Sequence, residues 1–127
     1  MPQELGSDRQ RKNIMIGPRR TSVSLEDRVW DGLVDICRRE ELSIDDLCTR
    51  VNDRRLASSL SSSLRVFQLT YFRIVIENVE RLLSRRPADG FAHPPQTAFP
   101  SALDVALERF STDQKRYRGE VPGADAG

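Results

Sequence analysis

Side chains suited to reversible binding gather near the start of the chain. Within Arg20–Leu25, one guanidinium and two hydroxyls alternate with less polar side chains, so Arg20, Ser22 and Ser24 share one side of an extended segment. Residues 1–20 carry five basic and two acidic side chains, a local charge of +3; the basic residues are Arg9, Arg11, Lys12, Arg19 and Arg20. Guanidinium and hydroxyl groups in this arrangement indicate non-covalent recognition of a polar or anionic surface.

The residue types needed for catalysis or metal binding are scarce. The single histidine, His93, lies among prolines, and the sequence contains no phosphate-binding glycine loop and no cysteine–histidine cluster. Cys37 and Cys48 each fall on the apolar face of a predicted helix, where a buried structural thiol is expected. We therefore predict a protein that is not an enzyme and that needs no cofactor or metal.

Composition limits the class of protein further. The chain has 127 residues, of which 38% are hydrophobic and 31% charged, and its net charge is +1. These values are ordinary for one small soluble domain, and they exclude a protein that binds nucleic acid with its whole surface. The N-terminus is too polar for a signal peptide, and the most apolar run, residues 66–83, is interrupted by charges. A cytoplasmic location is predicted.

The alternating segment runs directly into a helix. Apolar positions change from a period of two to helical spacing at Leu25, and they continue at Val29, Leu33 and Ile36. A lone strand leaves its backbone groups unpaired. Because Gly17-Pro18 and charges precede the strand, we expect the pairing strand to come from another copy of the chain. Residues 1–18 are predicted to form a flexible basic arm.

Further helices are predicted from caps and apolar spacing. The first runs over about residues 26–40, the second opens at Ser43 and ends near residue 53, and the third runs from the serines at 58–59 to about residue 85. The third is apolar nearly all round, so we expect it to pack on the other two and on its copy in a second subunit. Residues 87–127 are predicted to form a proline-rich linker, a short helix over 101–110 and a disordered tail.

The strand, the first helix, the break at Glu40-Glu41-Leu42 and the new start at Ser43 resemble the ribbon-helix-helix DNA-binding fold of the Arc and Met repressors. The resemblance covers roughly residues 19–54. Extended through residues 58–73, it is similar to a bacterial branch of that superfamily with a third helix. It implies a mainly α fold with an intermolecular two-stranded antiparallel ribbon and a long third helix, in a domain over residues 19–86.

The resemblance also implies roles for particular residues. The outer side of the ribbon would contact base edges in the major groove through Arg20, Ser22 and Ser24. Phosphates would be contacted by Arg9, Arg11, Lys12, Arg19, Ser43 and Ile44. The dimer core would contain Val23, Leu25, Trp30, Leu33 and Leu47. Asp45 and Asp46 depart from the family pattern, because two carboxylates at the start of the second helix would repel a phosphate.

Several functions agree with this reading of the sequence. The first is a homodimeric, DNA-binding transcriptional regulator, associated with the nucleoid when bound to DNA. A second is the antitoxin of a toxin–antitoxin pair, with the segment after Pro87 wrapping a protein partner through residues 101–110. A third is a protein-interaction dimer in which Arg20, Ser22 and Ser24 form only a solvated face. A helix-turn-helix protein leaves the alternating strand unexplained.

Overall fold

The chain folds as a β-hairpin followed by four helices in the computed structural model, which describes residues 8–84 and 101–117. The elements in order are β1 (Arg9–Ile16), β2 (Arg19–Glu26), α1 (Asp27–Glu40), α2 (Ile44–Arg54), α3 (Leu60–Ser84) and α4 (Ala102–Tyr117). The predicted class, mainly α with a two-stranded antiparallel ribbon and a long third helix, is confirmed. The predicted linker over residues 87–100 and the tail over residues 118–127 lie outside the described residues.

The structure corrects the origin of the second strand. β1 pairs with β2 of the same chain, from Arg9 opposite Glu26 to Ile16 opposite Arg19, so the described ribbon is a hairpin and not the intermolecular one expected. Gly17 has a φ of 60° and is followed by proline, whose ring holds φ negative, and this combination suits a two-residue type II′ turn. The dipeptide that suggested a break therefore connects two strands. Residues 9–16, expected in a flexible arm, form β1.

The hairpin packs one face on the helices. Ile14 of β1 and Val23 and Leu25 of β2 are buried on that face, and the residues between them along each strand point the other way. Asp27 continues the pairing, since its N–H donates to the Asp8 carbonyl at 2.7 Å. The ribbon thus enters α1 without a loop, which fixes the helix direction relative to the sheet.

Local signals set the ends of α1 and α2. α1 ends at Glu40 and is capped by Glu41, which has a φ of 58°, and the N–H of Leu42 donates back to the Cys37 carbonyl at 3.0 Å. α2 begins after Ser43, whose Oγ accepts a 3.0 Å hydrogen bond from the N–H of Asp46. This cap confirms the predicted opening of the second helix at Ser43.

α3 and α4 complete the core. α3 buries Leu64, Phe67, Tyr71 and Ile74 against the rest of the domain, and the ring of Phe110 on α4 meets Phe67 edge-on with centroids 6.1 Å apart. α4 extends to Tyr117, so the predicted short helix over 101–110 is longer, and residues 111–117, which were expected to follow it, are part of the helix. Its apolar face, formed by Leu103, Ala106, Leu107 and Phe110, is buried in the chain's own core. This face is therefore not available to a protein partner, which corrects the partner surface predicted for residues 101–110.

Among the described helices, none has the length and apolar character needed to cross a membrane.

Candidate nucleic-acid interface

The hairpin presents one polar face to solvent, which we call the outer ribbon face. It consists of every second residue of each strand: Arg9, Arg11, Asn13 and Met15 on β1, and Arg20, Ser22, Ser24 and Glu26 on β2. Most of these side chains are exposed, and Ser24 and Glu26 are half-buried. The face exists because the opposite side of each strand is used for the core, and strand side chains alternate strictly between the two sides.

Cross-strand pairs organise the outer ribbon face into two matched rows. Arg11 lies opposite Ser24, Asn13 opposite Ser22, and Met15 opposite Arg20. The three predicted base-reading residues Arg20, Ser22 and Ser24 thus share one face, as their spacing indicated. Sequence reasoning missed Asn13 and did not place Arg11 beside these residues. The available signal was the sequence Gly17-Pro18 between two segments of eight residues, which is compatible with a tight hairpin.

The hairpin is strongly basic. Residues 9–26 contain five basic residues and one acidic residue, Glu26, so their net charge is +4. The Glu26 carboxylate accepts hydrogen bonds from Nε and Nη2 of Arg65 on α3, at 2.9 and 3.3 Å. The hydrogen bond from Arg65 lowers the pKa of Glu26. The one negative charge on the outer ribbon face is therefore offset by a cation from outside the hairpin.

The predicted phosphate-binding residues divide between the two sides of the hairpin. Arg9 and Arg11 belong to the outer ribbon face, whereas Lys12 and Arg19 alternate to the side that faces the helices. The Lys12 ammonium lies 5.2 Å from the centroid of the Trp30 ring, a cation–π contact. Trp30 in turn donates from Nε1 to the Gln10 carbonyl at 2.8 Å. Lys12 is thus held along the edge of the ribbon.

The start of α2 lies against the end of β1. Oδ1 of Asp45 accepts a 3.0 Å hydrogen bond from the N–H of Met15, and Oγ1 of Thr49 accepts one from the N–H of Gly17 at 3.3 Å. Asp45, which looked like an obstacle to phosphate binding, therefore holds the hairpin on α2. Ser43 uses its hydroxyl as the helix cap, and Ile44 follows it as the first residue of α2.

The residues predicted for a dimer core lie in the core of a single chain. Val23, Leu25, Trp30, Leu33 and Leu47 are all buried without a second copy. Their contribution to a dimer stays a prediction. Within a single chain, they form part of the hydrophobic core. Cys37 and Cys48 are buried as well, as expected for structural thiols, and burial raises their pKa values to about 11 and about 12. In the described part of the chain no group of side chains is arranged to hold a metal ion.

These features define the class of protein: a hairpin followed by two helices, with a basic, hydrogen-bonding ribbon face left free by the core. A family model described as ribbon-helix-helix domain matches residues 9–72, about half of the chain, and the chain belongs to this family. The match begins at the first residue of β1, which places the whole hairpin inside the domain. No curated protein and no solved structure matches the chain. Membership of the family indicates a DNA-binding or regulatory role.

Proposed function

We propose that the protein is a homodimeric transcriptional regulator whose hairpin enters the major groove of DNA with the outer ribbon face toward the bases. The observation that carries this proposal is the outer ribbon face itself. Its donors and acceptors stand in two matched rows, on an exposed two-stranded element with a net charge of +4 over residues 9–26. The opposite face is used by the core, so the outer face is the one free to meet a ligand.

The dimensions of the hairpin suit this site. Paired strands lie about 4.8 Å apart, and the major groove is about 12 Å wide, so two strands with their side chains fit within it. In this orientation Arg11 and Arg20 face base edges, where a guanidinium can bind guanine O6 and N7 together. Asn13 offers the amide that pairs with adenine N6 and N7. Ser22 and Ser24 donate or accept and select less strongly.

The remaining basic residues are proposed to contact the DNA backbone. Arg9 lies at the start of the hairpin and Arg19 follows its turn, so both flank the base-facing residues, and Lys12 lies on the helix-facing side. The start of α2, at Ser43 and Ile44, supplies backbone N–H groups that favour an anion. Because Asp45 is engaged by Met15, its carboxylate is directed at the hairpin. This arrangement supports the phosphate role first proposed for the start of α2.

A homodimer supplies two hairpins, and with them a binding site made of two half-sites. It is supported by apolar side chains that one copy leaves in solvent, among them Leu69 and Ile76 of α3. An antitoxin role is less well supported, because it depended on residues 101–110 wrapping a partner and the apolar face of α4 is buried in the core. A protein-interaction dimer that does not bind DNA is also less well supported, because it does not explain the basic outer ribbon face.

The proposal is tested by titrating a labelled mixed-sequence duplex at several salt concentrations and following fluorescence anisotropy. The wild-type chain should bind, and its affinity should fall linearly with salt on logarithmic axes. Arg9→Ala or Arg19→Ala should each reduce that slope by about one, because each variant neutralises one phosphate fewer. Arg38→Ala removes an exposed cation from α1 and should leave the slope unchanged. Absence of binding at low salt, or equal slopes for the hairpin variants and the control, contradicts the proposal.

A further inference from the structure

α3 carries a second apolar face that its own domain covers only in part, at Phe72. Leu69, Phe72, Ile76, Val79 and Leu83 recur at alternating intervals of three and four residues, the a and d spacing of a coiled-coil seam. We call these five residues the outer α3 stripe. Leu69 is 64% exposed, Ile76 56% and Leu83 79%, which is unusual for a continuous line of large apolar side chains.

The stripe is distinct from the face that builds the core. At about 100° per residue, Leu64, Phe67, Tyr71 and Ile74 lie on one side of α3, and the stripe lies on roughly the opposite side. Phe72 is the half-buried member of the stripe, and the Arg39 guanidinium on α1 lies 6.0 Å from its ring centroid. The core buries one of the two apolar faces of α3. The other face is available to pack against a second molecule.

We propose that the α3 helix of a second copy of this chain packs antiparallel on the outer α3 stripe. The inference rests on the homodimer of the proposed function and names its surface. The spacing allows antiparallel layers in which an a residue meets a d residue of the partner: Ile76 would lie against Val79 of the partner subunit, and Phe72 against Leu83 of the partner subunit. Such layers alternate a and d positions, as knobs-into-holes packing between two helices requires.

Charges beside the stripe specify the antiparallel direction. Arg73 and Glu80 are both exposed and lie seven residues apart on the same flank of the stripe, at the position after each d residue. In an antiparallel pair centred near Ile76, Arg73 faces Glu80 of the partner subunit, and the reverse pair forms by symmetry. In a parallel pair the two flanks lie on opposite sides of the seam, so these charges do not meet. The chain is therefore self-complementary in one orientation.

The pairing gives the DNA-binding proposal a geometry. The hairpin and the outer α3 stripe are separate surfaces, since Arg65, which hydrogen-bonds Glu26 at the end of the hairpin, precedes the stripe on α3. Two copies joined through α3 keep both outer ribbon faces free, related by a two-fold axis. A two-fold related pair of readers binds a palindromic site.

The test measures the oligomeric state of the full chain by sedimentation across a concentration series. Arg73→Glu and Glu80→Arg each replace two attractive contacts by two repulsive ones, so each variant alone should have a dissociation constant raised about tenfold or more. Mixing the two variants should restore the dimer to near wild-type affinity, because one subunit then carries two acids and the other two bases. Glu108→Arg reverses an exposed charge on α4 and should leave the dimer unchanged.

Ile76→Asp provides a second, independent variant. Its side chain is exposed, so the single domain should keep its helical circular dichroism while the dimer is lost, and its melting temperature should equal that of the wild type at concentrations where the wild type is monomeric. A wild-type chain that is monomeric at all concentrations overturns the inference. So does a dimer that survives Ile76→Asp, or a mixture of the charge variants that stays monomeric. A lower melting temperature in Ile76→Asp without any change in mass also overturns it, because the stripe is then covered within one chain.

DNA binding by the same variants separates this inference from the proposed function. If Ile76→Asp is monomeric and still binds a short duplex in a way that Arg20→Ala weakens, both proposals stand. If the wild-type dimer depends on Arg73 and Glu80 but binds no duplex, the inference stands and the proposed function fails. If the α3 variants still form the dimer and still bind DNA through the hairpin, the proposed function stands and the inference fails.

Discussion

The backbone N–H of Met15 donates a 3.0 Å hydrogen bond to Oδ1 of Asp45, which fastens the end of β1 to the first turn of α2. Thr49, one turn further along α2, accepts from the N–H of Gly17 and donates to the Met15 carbonyl. The backbone N–H groups of Met15 and Gly17 and the Met15 carbonyl, which lie near the turn, are thus hydrogen-bonded by side chains of α2. The orientation of the outer ribbon face relative to the start of α2 depends on this contact.

We expect Asp45→Ala to lower the free energy of unfolding by about 1 kcal/mol, because the Met15 N–H is then without its charged acceptor. Asp45→Asn keeps an oxygen acceptor and should be less destabilised. Asp46→Ala is the matched control, since the side chain of Asp46 is exposed on the same turn. Urea titration followed by circular dichroism measures all three. Equal destabilisation of Asp45→Ala and Asp46→Ala contradicts the structural role assigned to Asp45.

The contact between Glu26 and Arg65 predicts a dependence of stability on pH. The hydrogen bond from Arg65 lowers the pKa of Glu26 below its ordinary value of 4.5. A carboxyl group with a lowered folded-state pKa stabilises the fold fully above its unfolded pKa, and this stabilisation is lost as the pH falls through the folded pKa.

Stability should therefore decrease on acidification below about pH 4.5, and less steeply in Glu26→Gln. The slope is reduced rather than abolished in that variant, because hydrogen bonding to Arg39 also lowers the pKa of Asp35. Thermal melts between about pH 3 and pH 7 measure the slope, with Glu108→Gln as the control for removal of an exposed carboxylate. An unchanged slope in Glu26→Gln shows that the pair has no energetic role.

The two buried thiols should react slowly. Burial raises the pKa of Cys37 to about 11 and that of Cys48 to about 12, so little thiolate forms near neutral pH. A thiol-specific disulfide reagent at about pH 8 should label neither cysteine in the folded chain and both after denaturation. Cys37 should be the first to react as denaturant is added, because it is the less buried of the two. Fast labelling of either thiol in the native protein contradicts their assignment as structural.

The residue that caps the end of α1 is strained. Glu41 has a φ of 58°, in the left-handed region that glycine adopts without steric cost. Glu41→Gly is expected to raise the free energy of unfolding by about 0.5–1 kcal/mol, whereas Glu41→Ala keeps the strain and should not. Comparison of the two variants by urea titration isolates the backbone effect from removal of the charge. A destabilised Glu41→Gly contradicts the conformation at this cap.

The sequence was informative where signals are local. The alternation over residues 20–25 and the cap at Ser43 correctly predicted β2 and the start of α2. β1 was not predicted, because Gln10 and Lys12 occupy helix-facing positions and hide its alternation. Both contact Trp30, which donates a hydrogen bond to the Gln10 carbonyl and lies under the Lys12 ammonium. Trp30 lies 20 residues after Gln10 and 18 residues after Lys12 along the chain. Arg11 and Asn13 could not be assigned to the outer ribbon face without that strand.

The sequence did not predict the other long-range contacts either, because they join residues that are far apart along the chain. The spacing of Leu103, Leu107 and Phe110 showed an amphipathic helix but not what it packs against, and the structure supplies Phe67 as the partner of Phe110. Likewise, Asp45 looked repulsive toward a phosphate because its acceptor role depends on where the hairpin ends. Local spacing predicted elements and faces, and the pairing of faces required the fold.

The most direct test of the proposed DNA-reading role is selection of bound sequences from random duplex DNA by the purified full chain, with three variants in parallel. The wild-type chain should recover a palindromic motif. Arg20→Ala and Asn13→Ala should each relax preference at a defined base pair, by about 1–3 kcal/mol of discrimination, while Arg38→Ala recovers the wild-type motif. If no motif is recovered, or if the same motif is recovered from all variants, the outer ribbon face is not the surface that reads DNA.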